Sequence, residues 1–388
     1  MTLRARRSLC GALLAACACA AAAQTTARPF VPAGSPSGSD GDRAQNVLVV
    51  TLDGMRWQEV FSGFDPTLAT EKDGGVKDLE ALARHFAREG PVAAREALLP
   101  FLWTVVAREG QVFGDPSLSS AVRVTNGLWF SYPGYNELLA GVPDPRIDSN
   151  DKKTNPNLTV LEWLNRRPGY EDRVAVFGTW DVFPSILAVE RSRLPVHGYD
   201  PPFPAPASER EQLIDDFSED LPEHWGGVRL DAVAMQAALE CLRAHQPRVL
   251  AVLLGETDEW AHERRYDQYL EAAHRADRFV RRLWETAQSL PAYRGRTALL
   301  LATDHGRGDT PRDWTDHGRS VPAAERIWLA ALGPGTPPLG VRQGVSATQS
   351  QFAATIAAVL GEDFRTAVPQ AAPPLPDVGT ARTGPWRP

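Results

Sequence analysis

Residues 298–306 read Ala298-Leu299-Leu300-Leu301-Ala302-Thr303-Asp304-His305-Gly306. An apolar run of this kind predicts a strand buried on both faces, as in the middle of a parallel sheet. A carboxylate and an imidazole then stand at its exit, where open α/β sheets carry their ligand sites and where a divalent cation finds suitable donors. Alone, an Asp-His pair is ordinary loop polarity. This one has partners: the apolar run 249–254 is followed by Asp258 and His262, the run 47–52 by Asp53, and His317 comes shortly after His305. Three strands that each end in Asp, two with His nearby, predict one cluster of nitrogen and oxygen donors along one sheet edge.

Outward from these strands the order strand-then-helix repeats, which predicts an α/β fold with a mostly parallel central sheet flanked by helices. Helices are expected over 79–88, 96–108, 158–164, 231–245, 269–290 and 349–360. Short strands are expected over 111–114 and 121–125, with longer ones over 173–178 and 327–332. Residues 61–75 read as loop. Residues 181–228 are rich in Pro and aromatic residues without a period, and read either as a loop packed on the body or as a cap over the site. The chain divides into residues 1–23 as a signal peptide, 24–45 as a flexible leader, 46–365 as one catalytic domain with 181–228 as its insert, and 366–388 as a loose Pro-rich tail.

The 388 residues are 43% hydrophobic, enough for a large core, and the formal charge of −7 argues against a basic nucleic-acid-binding surface. At the N-terminus, Arg4, Arg6 and Arg7 precede the apolar stretch 9–16, and Ala21-Ala22-Ala23 stands before Gln24, a pattern for export to the periplasm or beyond. Leu14-Ala15-Ala16-Cys17 also reads as a lipobox, and membrane attachment is expected only if Cys17 is lipidated. Cys241 is the one Cys beyond that region. It has no internal disulfide partner, and its helical pattern predicts a buried structural thiol.

Asp258 and His262 are four apart, on one face of a helical turn, and can share an ion. Asp304 and His305 are adjacent in a loop; Asp53 and His317 complete two donor sets. Two ions about 4 Å apart would clamp the attacking and leaving oxygens of a displacement. Phe130-Ser131-Tyr132-Pro133-Gly134-Tyr135-Asn136 precedes an apolar helical segment, and Ser131 taken alone reads as its N-cap.

These motifs in this order resemble the alkaline phosphatase superfamily, which includes phosphatases, type I phosphodiesterase/nucleotide pyrophosphatases, phosphoglycerate mutases and sulfatases. Val50-Thr51-Leu52-Asp53-Gly54 is similar to its first metal-binding strand and Ser131-Tyr132-Pro133-Gly134 to its nucleophile motif. Asp258 with His262, Thr303-Asp304-His305-Gly306 and His317-Gly318 are similar to its remaining metal motifs. The resemblance implies a three-layer fold and two divalent ions, Zn²⁺ or Mn²⁺, on Asp53, Ser131, Asp258, His262, Asp304, His305 and His317. It makes Ser131 the nucleophile, a role compatible with capping, and the helix N-terminus behind it would favour a phosphoryl group.

Departures narrow the branch. Sulfatases carry Arg where this chain has Tyr135, the well-known alkaline phosphatases carry Asp where it has Phe130, and residues 132–257 are too few for the second domain of the mutases. The type I phosphodiesterase/nucleotide pyrophosphatase branch is nearest, with Ser in place of its Thr. Its phosphoryl-holding Asn corresponds to Asn150, which also reads as a plain turn residue; Lys152 and Lys153 read as solvated. The expected activity is hydrolysis of small-molecule phosphoric esters, diesters or pyrophosphates first, through a phosphoserine at Ser131. Phosphomonoesterase, sulfatase-like and phosphotransferase activities, and metal or phosphate binding without turnover, stand as alternatives.

Overall fold

The computed structural model describes residues 43–379 apart from 200, 201 and 204. The expected signal peptide, nearly all of the leader, Cys17 and residues 380–388 lie outside the described residues. The strands are β1 (Asn46–Leu52), β2 (Gln111–Phe113), β3 (Ala121–Arg123), β4 (Val174–Gly178), β5 (Val196–His197), β6 (Val249–Leu254), β7 (Thr297–Ala302), β8 (Arg326–Ile327), β9 (Leu329–Leu332), β10 (Gly340–Val341) and β11 (Ser346–Thr348). Eight of them form one sheet in the order β10-β2-β9-β7-β1-β6-β4-β5, and β11-β3-β8 form a small second sheet. From β7 across to β5 every pairing is parallel, whereas β9 runs antiparallel to both β7 and β2. The α/β class with a mostly parallel sheet is thus observed.

Alternation along the central strands feeds two cores. In β1, Leu48, Val50 and Leu52 enter one and Val47 and Val49 the other. Helices Asp231–Ala244 and Tyr266–Ser289 cover the first face; Ser131–Ala140, Val160–Asn165 and Gln351–Val359 cover the second. The result is three layers. Burial of each such Leu or Val contributes about 1.5–3 kcal/mol, so both faces are held by aliphatic packing.

Register brings the strand exits level. Leu52 pairs with Leu254 and Thr51 with Ala302. The ladder runs one residue further, the Asp53 N–H donating to the Leu254 carbonyl at 2.9 Å. Asp53, Gly255 and Thr303 therefore leave the sheet side by side.

Four expectations need correction. The single helix expected over 96–108 is interrupted: Pro91–Leu98 ends, and a π-helical stretch, Leu102–Val106, follows. Pro100 supplies no N–H, and the buried Asp277 carboxylate restarts the helix by accepting from the N–H groups of Phe101 (2.8 Å) and Leu102 (2.9 Å). Residues 61–75 contain the end of helix Trp57–Ser62 and a short helix, Glu71–Gly74. The 181–228 insert carries a regular helix, Glu209–Asp220, whose apolar residues Leu213 and Phe217 face solvent and so leave no inward stripe to read. The tail is not loose up to residue 379: Ala371, Leu375 and Val378 are buried, and the Ala372 N–H donates to the Gly141 carbonyl at 3.1 Å. Cys241 is buried and free, as expected.

Candidate metal centre

Each donor is placed by its own element. Asp53 follows β1. Asp258 and His262 lie on helix Glu256–His262 after β6, and Asp304 and His305 follow β7. His317 arrives on the loop after them. The donor atoms converge as two groups, Asp53 with Asp304 and His305, and Asp258 with His305 and His317, each within 4.8 Å of one another. His262 joins the second side: its Nε2 is 3.1 Å from Asp258 Oδ2 and 3.0 Å from His317 Nε2. His305 is central, its Nε2 3.4 Å from Asp53 Oδ1, 3.4 Å from Asp304 Oδ2 and 3.7 Å from Asp258 Oδ1. All six predicted Asp and His side chains therefore come together.

The arrangement fits cations. Asp53 Oδ1, Asp304 Oδ2 and His317 Nδ1 are buried without a hydrogen-bond partner among the described residues. Buried polar atoms of that kind are costly unless something satisfies them. His305 Nδ1 lies 2.9 Å from the Gly306 carbonyl, which can only accept, so Nδ1 carries a proton and Nε2 is the ring atom turned to the carboxylates. Burial, then the Asp258 charge, pushes the Asp53 carboxyl well up, and burial, then Asp53, does the same to Asp304. Burial also opposes ionisation of Asp258, but the Arg307 guanidinium and then His262 outweigh it and hold this carboxyl well below the usual range. Burial, then His305, holds the His317 imidazole well below its ordinary value.

Ser131 needs a correction. The N-cap is Phe130, with extended backbone, and Ser131 is the first helical residue, its hydroxyl making no cap bond. Its Oγ instead lies 3.4 Å from His305 Nε2. The whole helix Ser131–Ala140 is buried, and Gly134 lets it close on the loop that carries Asp304 and His305: a Cβ there would stand 2.4 Å from the Asp304 carbonyl oxygen. Asn150, read also as a turn residue, reaches the same cleft, and its Oδ1 accepts from the Tyr132 N–H at 3.0 Å. The Tyr132 N–H is thus taken, while this bond uses only the oxygen of Asn150 and not its side-chain NH2 group. Lys153 is exposed and pairs with Asp151; Lys152 pairs with Asp181 Oδ2 at 2.5 Å.

Several residues escaped the sequence reading. Tyr135 is fully buried, its hydroxyl 3.3 Å from Thr51 Oγ1 on the strand that ends at Asp53. Asp231 accepts from the N–H groups of Gly255 and Glu256 and from Thr179, fixing the turn that carries Asp258. Arg307, directly after the T-D-H-G motif, donates to Asp258 and to the Thr315 carbonyl. Of these, Arg307 has a sequence signal in directly following the motif and Tyr135 one in departing from the sulfatase pattern, but Asp231 has none. The cleft, about 190 Å³, is lined by Ser131, Asn150 and the metal candidates Asp53, Asp258, His262 and His317, together with Trp180, Val228, Gly255 and Glu259. Trp180 and Val228 are bridged across the two ends of the insert.

A family model described as type I phosphodiesterase / nucleotide pyrophosphatase matches residues 103–337, which include Ser131 and every metal candidate except Asp53. The chain belongs to the type I phosphodiesterase / nucleotide pyrophosphatase family. No curated protein matches it by sequence. Its fold is similar to a putative sulfatase from Bacteroides thetaiotaomicron (TM-score 0.54, 10% identity, 89% of this chain and 76% of that one). It is also similar to a 2-O GAG sulfatase (TM-score 0.52, 11% identity, 89% and 76%). A third likeness is to the lipoteichoic acid synthase LtaP of Listeria monocytogenes (TM-score 0.50, 13% identity, 85% and 76%). Family and fold together put this phosphodiesterase-family chain in the alkaline phosphatase superfamily and indicate a hydrolase of phosphoric or sulfuric esters.

Proposed function

We propose that the chain is an exported, metal-dependent hydrolase of phosphodiesters or pyrophosphates that works through a covalent phosphoserine at Ser131. One observation carries the reading: the Ser131 hydroxyl, free of capping, stands 3.4 Å from His305 Nε2 at the wall of a cleft ringed by Asp53, Asp258, His262 and His317. The N-terminal pattern supports export; among the described residues no helix is long and apolar enough to cross a membrane.

Asp258, His262 and His317 would hold one divalent ion, and Asp53, Asp304 and His305, with Ser131, the other; Zn²⁺ or Mn²⁺ suits these donors and supplies Lewis-acid stabilisation of phosphoryl charge. The chain does the rest. Gly134 and Asn150 fix the start of the Ser131 helix, so the nucleophile is held rather than searching. Ser131 Oγ attacks phosphorus; the Oγ–P bond forms as the bond to the leaving oxygen breaks, the hydroxyl proton passing to solvent and the leaving oxygen taking one from it. Water then attacks phosphorus, the P–Oγ bond breaks, and Ser131 recovers its proton.

The cleft wall supports diesters over monoesters. None of its lining residues is Lys or Arg, so no side-chain cation is at hand for the second charge of a monoester, whereas Trp180 and Val228 offer an apolar surface to a second ester group. Side-by-side rates on nitrophenyl phosphate, methyl nitrophenyl phosphate and nitrophenyl sulfate test the class, and mass spectrometry after acid quench tests for phosphate on Ser131. Sulfate as best substrate, or label elsewhere, overturns the reading.

A further inference from the structure

Arg307 is a cation built into the metal centre. It is 1% exposed, yet it does not line the cleft. One guanidinium reaches both the Asp258 carboxylate and, at 3.0 Å, the Asp258 carbonyl, and it also donates to the Thr315 carbonyl, two residues before His317. Gly54 makes room for it: a Cβ there would lie 2.6 Å from Asp258 Oδ1 and 2.9 Å from Arg307 Nε, and its φ of +58° suits glycine. The guanidinium cannot lose its proton, and two carbonyls pin it, so its charge stays in place.

That makes the two donor sets electrostatically unequal. Asp53, Asp304 and His305 present two carboxylates. Asp258, His262 and His317 present one, already paired with a full positive charge. At this burial neither water nor salt screens the difference well. We infer that Arg307 is the resident counter-cation of the Asp258 side: it takes up that carboxylate when no divalent ion is bound there, and it makes the ion on Asp258, His262 and His317 the weaker-held, exchangeable one of the pair. The inference rests on the two-ion reading given above.

The test uses the full chain stripped with chelator and titrated with Zn²⁺ against a chromophoric competitor. Wild type takes up two ions whose Kd values differ at least about tenfold. Arg307→Met tightens the weaker site at least about tenfold and leaves the tighter one nearly unchanged, whereas Arg307→Lys, which keeps the charge, keeps the weak site weak. Stripped Arg307→Met also melts below stripped wild type. Equal affinities in wild type, or a weak site that Arg307→Met fails to tighten, overturn the inference. Should Arg307→Met not fold, His262→Ala decides: it must abolish the weaker ion, and loss of the tighter one overturns the assignment. A wild-type chain that binds no ion at all defeats the two-ion reading itself, a result distinct from each of these.

Discussion

His262 Nε2 and His317 Nε2 lie 3.0 Å apart although the residues come from a helix and a loop 55 positions distant in sequence. Two imidazole nitrogens aimed at each other share at most one proton, and Asp258 Oδ2 stands 3.1 Å from the same His262 atom. Three donors facing one point suit a shared cation better than each other.

His262→Ala is therefore expected to lower bound divalent metal from about two ions per chain to about one. Elemental analysis after dialysis measures it. Wild-type metal content in the variant would remove His262 from the ligand set.

Ser131→Ala is expected to fold normally. Phe130 is the cap, and the Ser131 hydroxyl bonds none of the helix amides, so the melting midpoint should correspond to within about 1 kcal/mol of wild type. Turnover should fall by on the order of a thousandfold or more, because no nucleophile remains. Near-wild-type turnover would place the reaction on another group.

Trp180 is half-buried at the cleft and bridged to Val228. Loss of an apolar contact of this size is worth about 1–3 kcal/mol of discrimination. Trp180→Ala should lower kcat/KM for a nitrophenyl diester by about tenfold or more while the monoester rate changes little. An equal fall on both substrates would make Trp180 a structural residue only.

Asp277 supplies a pH dependence. Burial pushes its carboxyl from 3.8 up to about 7, against the two amides that favour the ionised form. Between those values the unfolded chain has released the proton and the folded chain retains it, so rising pH favours unfolding. Wild type should lose stability relative to Asp277→Asn as pH rises from 4 to 7, by at most about 4 kcal/mol, and no further above. Denaturant midpoints of the pair at pH 4.5, 6 and 8 measure it; a difference that is flat, or that grows the other way, contradicts the assignment.

The parallel strands and their acidic exits were legible because both signals are local: an aliphatic run and the residue that ends it. The pairing register then aligned those exits without further information. Ser131 was misplaced by one residue, since capping depends on the backbone angles of Phe130 and not on residue type alone. Tyr135 was legible as a departure from a motif, but its contact with Thr51 crosses from helix to strand and leaves no spacing to read. Asp231 acts through backbone amides of another element, which a sequence does not display. The insert helix hid because its exposed Leu213 and Phe217 break the inside-outside pattern.

The strap at residues 371–375 has a consequence in time. Ala372 holds the Gly141 carbonyl at the far end of the Ser131 helix, and Leu375 and Pro374 bond Thr355 and Gln351 of the helix beside it. The Ser131 helix is therefore seated by residues synthesised long after it. A growing chain can pair β1, β6 and β7 and gather its carboxylates well before that seat exists. Competence should come last and at once, when the strap closes, and a chain cut before residue 371 should bind metal better than it turns over substrate.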